Sequence, residues 1–155
     1  MTDFELLKIF IKAVCNIYQN DSDLIKIGAN ERAITHRLGF YIEEELNNKE
    51  YNVDCEYNRD GFAPKKNNNG NCIIPDVIIH KRLIDKNYLV IEAKKDQNNN
   101  QEYDDTKEKL KVLTNQNGRY KYQLGIFIDF KKDIKDAIES IIYYKNGENY
   151  DLKNR

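Results

Sequence analysis

Two short runs, CIIPDVIIH (Cys72–His80) and NYLVIEAKK (Asn87–Lys95), are mostly β-branched and apolar, yet they carry Asp76, Glu92 and Lys94. Strand periodicity puts Glu92 and Lys94 on one face, with Ile91 and Ala93 on the other. In the earlier run Asp76 shares a face with Ile78 and His80. If the two strands are neighbours paired near these positions, the two carboxylates meet. Such a pair repels and loses solvation, so both stay ionised most readily with a cation between them. Oxygen ligands without a His/Cys cluster at ligand spacing point to Mg2+ or Mn2+ and away from zinc. A divalent ion held by Asp76 and Glu92 polarises a phosphoryl oxygen and lowers the pKa of its bound water. Lys94 would orient or help deprotonate that water, or stabilise charge building on the phosphate. Glu31 and the carbonyl of Ala93 are further candidate oxygen ligands. This is chemistry for phosphodiester hydrolysis. The blander reading is that EAKK marks where a strand leaves the core. Pro75 tells against it, because proline marks an edge, bulge or bend that can redirect the acid behind it.

The elements that must position these residues are legible as patterns. Thr2 and Glu5 form a capping box, and Leu7, Phe10, Ile11, Val14 and Ile17 follow at helical spacing, predicting a helix over Asp3–Gln19. Asn30 is a good N-cap for a second helix with the stripe Ala33, Ile34, Leu38, Tyr41, Ile42 and Leu46, in which Gly39 is a mild cost. Glu31 stands at the head of that stripe, where the helix dipole favours a carboxylate. YNVDCEYN alternates as a half-exposed strand. RDGFAPKKNNNGN reads as a basic loop whose Arg59, Lys65 and Lys66 could meet a polyanion, although solvated lysines are the default. Cys72–His80 and Tyr88–Lys94 read as strands, KDQNNNQEYD as a polar loop, and a capping box at Asp105–Glu108 opens a short helix through Leu113. YKYQLGIFIDF is apolar almost throughout, as in a strand covered on both faces. Lys131–Tyr144 has Ile134, Ala137, Ile138 and Ile141 at helical spacing. Together these predict one α/β domain over 1–155, a mixed central sheet flanked by helices. Its first three strands form an antiparallel meander, and the fourth joins parallel through a crossover helix.

The chain has 155 residues and a formal net charge of −1. That balance argues against a simple nucleic-acid-coating module, though not against an enzyme with a local basic groove. No apolar run is long enough to cross a bilayer, and the N-terminus lacks the features of a signal peptide. Three widely spaced cysteines, Cys15, Cys55 and Cys72, read as buried reduced thiols. The expectation is a cytoplasmic protein with no membrane partner.

A Pro-Asp followed by a hydrophobic strand ending Glu-x-Lys resembles the PD-(D/E)XK nuclease superfamily, the restriction-endonuclease-like fold. The strand context, the sixteen-residue separation of Asp76 and Glu92, the upstream acid Glu31 and the element order fit the resemblance. It implies an α-β-β-β-α-β core over about Asn30–Phe130, with the first and last helices as additions. It also implies a magnesium-dependent endonuclease in which Asp76 and Glu92 bind the metal and Lys94 assists the attacking water. DNA is favoured over RNA as substrate, and a homodimer or a partner protein would supply specificity. The alternative is a catalytically inactive nucleic-acid-binding or structural subunit on the same fold. Gln116 and Tyr120 have the spacing of the exonuclease branch's Q-x-x-x-Y helix, but Asn117-Gly118 between them reads as a turn.

The remaining polar candidates are weaker. His36 reads as a surface or phosphate contact, and His80, two pleats from Asp76 on the same side, as an ordinary strand histidine, with a supporting or substrate role the less favoured alternative. Lys107 and Lys109 are candidate phosphate contacts, Gln123 a residue bordering the site, and Tyr120 and Tyr122 stacking or packing residues.

Overall fold

The computed structural model describes residues 1–47, 50–95 and 100–150. Helix α1 (Asp3–Asn20) starts at the expected capping box: the Thr2 hydroxyl accepts from the Glu5 amide at 3.2 Å, and the Glu5 carboxylate accepts from the Thr2 amide at 2.7 Å. After the short α2 (Ser22–Lys26), helix α3 (Glu31–Leu46) is capped by Asn30, whose Oδ1 accepts from the Ala33 amide. Strand β1 (Asn52–Cys55) follows, then a small hairpin of β2 (Arg59–Asp60) and β3 (Ala63–Pro64). Strands β4 (Val77–Lys81) and β5 (Lys86–Lys95) lead to helix α4 (Asn100–Thr114) and strand β6 (Leu124–Phe130). Helix α5 (Ile134–Glu139) and strands β7 (Ile142–Lys145) and β8 (Glu148–Tyr150) complete the chain order.

Six strands form one sheet in the order β1-β4-β5-β6-β7-β8. The β1-β4-β5 meander is antiparallel, and β6 joins β5 in parallel after the α4 crossover. The sheet is therefore mixed and largely antiparallel. Its two faces are both buried. Val77, Ile79, Leu89, Ile91, Ala93, Leu124, Ile126 and Ile128 pack against Leu6, Phe10, Ile34 and Leu38 of α1 and α3. The alternate residues Ile78, Val90 and Phe127 pack with Leu110 and Leu113 of α4 on the other face. Period-2 alternation in the strands thus assigns each layer its own helices. Among the described residues no helix is long and apolar enough to cross a membrane.

Four expectations change. The segment Lys131–Tyr144 is not one helix; α5 ends at Glu139, and β7 and β8 extend the sheet beyond β6. The helical spacing of Ile134, Ala137, Ile138 and Ile141 masked a β-branched and aromatic run ending in Asn146-Gly147. Both turn residues adopt positive φ, 53° and 78°, and close the two-residue hairpin that such a pair favours. Helix α4 starts at Asn100 rather than Asp105. The Asp105 side chain accepts from Gln101 within the helix instead of capping it. Residues 96–99 of the expected polar loop lie outside the described residues. Strand β4 starts only at Val77, so Cys72–Asp76 is not strand, because Pro75 has no amide for the ladder. Finally, Cys15, Cys55 and Cys72 are free thiols but exposed, not buried. Cys15 is on the outer side of α1, opposite Val14 and Ile17.

Helix α4 approaches the sheet through Gly125 of β6. A methyl group there would lie 2.8 Å from Thr114 Cγ2 and 3.2 Å from Tyr144 Cβ. Gly125→Ala is therefore expected to destabilise the fold by roughly 1–3 kcal/mol. Urea unfolding of the variant beside the unaltered chain checks this.

Candidate functional site

The Pro75-Asp76 bend, the end of β5 and the start of α3 converge where the sheet meets the first helical layer. The β4–β5 register pairs Val77 with Ile91, which brings Asp76 across from the last turns of β5. Asp76 Oδ2 accepts from the Ala93 amide at 2.7 Å. The strand end is thus tied to the acid by a charge-assisted hydrogen bond. Burial is the main influence on Asp76 and raises its pKa, opposed by the Ala93 amide, Lys109 and Lys94.

Glu92 is the most constrained group. It is 1 % exposed, on the central strand and on the face covered by α4. Its Oε2 lies 2.5 Å from Lys109 Nζ, while Oε1 is buried with no hydrogen-bond partner among the described residues. Burial, reinforced by the charge of Asp76, pushes its pKa up to about 8 against the opposing pull of Lys109. Lys94 Nζ reaches Glu31 Oε1 at 3.1 Å, at the first residue of α3. Burial works against the Lys94 ammonium, but Glu31, with Asp76 and Glu92 behind it, outweighs burial and holds its pKa above the ordinary value. Lys95 ties the same strand end to the loop before α3, donating to the Ala29 carbonyl at 2.9 Å.

The structure therefore brings Asp76, the backbone of Ala93, Glu92, Lys94 and Glu31 into one electrostatic cluster. Among the described residues, however, no three His, Cys, Asp or Glu side chains are grouped closely enough to hold a metal ion. Three carboxylates (Asp76, Glu92 and Glu31), the Ala93 backbone and two lysines (Lys94 and Lys109) are what the cluster offers.

Lys109 is the residue that sequence reasoning misassigned. It does not point outward to meet phosphate. It turns in to Glu92 and also donates to the Ile74 carbonyl at 3.1 Å. The signal was there: Thr106, Lys109, Leu110 and Leu113 share one stripe of α4, and the other three are buried. Lys107, in contrast, faces Asp104 at 3.7 Å and lies over the Tyr103 ring.

Other candidates go elsewhere. His80 does not support Asp76; it is at the far end of β4, beyond a register shift, 2.7 Å from Asp54. Arg82 pairs with the same carboxylate, and burial lowers the His80 pKa despite that partner. Lys65 is neither solvated nor free for a polyanion. It is buried beneath the β2–β3 hairpin, donating to the carbonyls of Tyr57 and Arg59, and burial lowers its pKa to about 8. Gln123 donates to Met1 and Asp3 at the start of α1 instead of bordering the site. Tyr120 and Tyr122 are buried packing residues, and the Tyr120 hydroxyl bonds the backbone of Lys66. His36 is exposed on α3.

Compared with family models, curated proteins and solved structures, the chain matches none of them.

An acid whose folded pKa is raised keeps a proton in the folded chain that it has lost in the unfolded one. Stability contributed by Glu92 therefore falls as pH rises from its ordinary 4.5 to about 8. Asp76 acts in the same sense from lower pH. Metal-free thermal unfolding across that window is expected to show a falling midpoint, with a shallower fall in Glu92→Gln, which has no proton to lose.

Proposed function

We propose that the chain is a divalent-metal-dependent nuclease, hydrolysing phosphodiester bonds on a PD-(D/E)XK-like architecture. The observation that carries this reading is Glu92, a fully buried carboxylate with one oxygen unpartnered among the described residues, on the strand paired with the one that follows Asp76. A buried acid pair is costly unless a cation completes it. The order of α3, three antiparallel strands, the α4 crossover and parallel β6 also supports the reading, because it is the order that the family resemblance implies.

The residues fit a hard cation. Asp76, Glu92 and the Ala93 carbonyl would hold Mg2+ or Mn2+, with Glu31 as a further oxygen donor once freed from Lys94. When bound, the metal supplies Lewis-acid activation of water and of the phosphoryl oxygen. The chain's own residues do the rest. The Ala93 amide fixes the direction of Asp76, and Glu31 holds Lys94 at the strand end. Lys94, kept as a cation, positions the attacking water and stabilises charge on the phosphate; its raised pKa disfavours it as the base. The burial of Glu92 keeps bulk water from competing for its oxygens. DNA is the proposed substrate, with RNA as the comparison, and specificity would come from loops, a second copy or a partner protein.

A second reading, a catalytically inactive nucleic-acid-binding or structural subunit, is favoured by one observation: Lys109 already neutralises Glu92. Cleavage of labelled linear, circular and branched DNA, and of RNA, with Mg2+ or Mn2+ separates the two. The nuclease reading expects Glu92→Ala and Lys94→Ala each to lower cleavage by about a hundredfold or more. Metal binding without cleavage of any substrate favours the inactive subunit. Equal cleavage by the variants assigns the activity to another site or to a contaminant.

A further inference from the structure

Lys109 has a geometry that a simple structural ion pair does not need. Its ammonium is 2.5 Å from Glu92 Oε2 and donates to the Ile74 carbonyl, one residue before Pro75-Asp76. It therefore bridges both segments that carry the acids, standing where a positive charge is required. Its side chain is nevertheless 27 % exposed, while that of Glu92 is 1 % exposed. On the outer side it lines a cleft of about 820 Å3 together with Ile74, Asn71, Asp105, Thr106 and Glu108. That cleft gives the ammonium somewhere to go, and two carboxylates line it.

Resting on the metal-dependent reading of this site, we propose that Lys109 is a tethered competitor for the metal. It completes the acid pair in the metal-free chain, and a divalent cation must displace it from Glu92 into the adjacent cleft. Charge and space both require the displacement. Asp76 and Glu92 need one cation, and an ammonium left against Glu92 would repel a second cation a few ångströms away. The competitor is covalently attached, so its local concentration does not change with dilution. At a fixed pH, the free metal concentration decides which cation occupies the acids. Lys109 thereby sets a threshold of metal concentration below which the site is closed.

Calorimetric titration with Mn2+ tests this without reference to turnover. Lys109→Gln keeps a hydrogen-bond donor for Glu92 but loses the charge, and it is expected to bind Mn2+ roughly tenfold tighter or more than the unaltered chain. Lys107→Gln makes the same change in net charge outside the pair and is expected to bind as the unaltered chain does. In the unaltered chain, which needs no variant to fold, saturating Mn2+ is expected to raise the reactivity of Lys109 toward an amine-modifying reagent, read by mass spectrometry. Equal or weaker binding by Lys109→Gln, an equal gain in Lys107→Gln, or unchanged Lys109 reactivity would each overturn the proposal. No Mn2+ binding in any form would overturn it together with the metal reading. The expected order of affinities without cleavage of nucleic acid would leave it standing while the nuclease reading fails.

Discussion

The structure depends on holding a carboxylate in the middle of its sheet. Glu92 is on the central strand, with hydrogen-bonded neighbours on both sides and a helix over it, so water cannot solvate it. An ionised group in that position needs an opposite charge and hydrogen bonds. Helix α4 answers with Lys109, whereas the bend before β4 adds a second acid, Asp76 on the Ala93 amide, and α3 adds Glu31, paired with the lysine two residues further along β5. The close approach that α4 needs is possible because β6 offers a glycine where any side chain would strike Thr114 and Tyr144. Packing and electrostatics therefore share one cause: the layer that buries Glu92 is also the layer that neutralises it.

The two polar centres of the sheet contrast in a useful way. At one end of β4, Asp54 is fully engaged by His80 and Arg82, and burial leaves no oxygen seeking a partner. At the other end, Glu92 retains an oxygen with nothing to accept from among the described residues. Satisfied buried networks contribute to a unique fold, whereas an unsatisfied acid beside another acid costs stability and calls for an explanation. That difference gives the Asp76–Glu92 end its functional interest.

Much of this was legible in the sequence where a single periodicity dominated. The capping box of α1, the Asn30 cap of α3 and the uninterrupted apolar run of β6 each form as their residues suggest, because local chemistry and burial agree there. The meander and the parallel crossover followed from element order. Facing rules brought Asp76, Glu92, Lys94 and Glu31 to one place. What escaped was set by tertiary context. Lys109 reads as a candidate phosphate contact because its true partner is on a strand seventeen residues earlier. Isoleucines spaced for a helix hid β7, although Asn146-Gly147 announced its hairpin. Lys65 was read as a loop charge because nothing local shows that Tyr57 and Arg59 would fold their carbonyls around it. Pro75 reads as a bend, but its consequence, that Cys72–Asp76 leaves the main sheet, depends on the strand beside it.

Lys65 bears on how this site could vary. Besides gripping the β2–β3 hairpin, its carbonyl accepts from the Ile73 amide, and the next residue is clamped from both sides by the Tyr120 hydroxyl. The segment leading into Asp76 is thus anchored before and after the turn at Asn67–Asn71, which closes on itself through a 2.8 Å backbone bond. Between those anchors the chain can grow at an entropic cost that rises only logarithmically with length. An insertion there would leave Asp76 where it is while rebuilding one wall of the cleft beside Lys109. The buried lysine separates the part of this protein that must stay fixed from a part that is free to diversify.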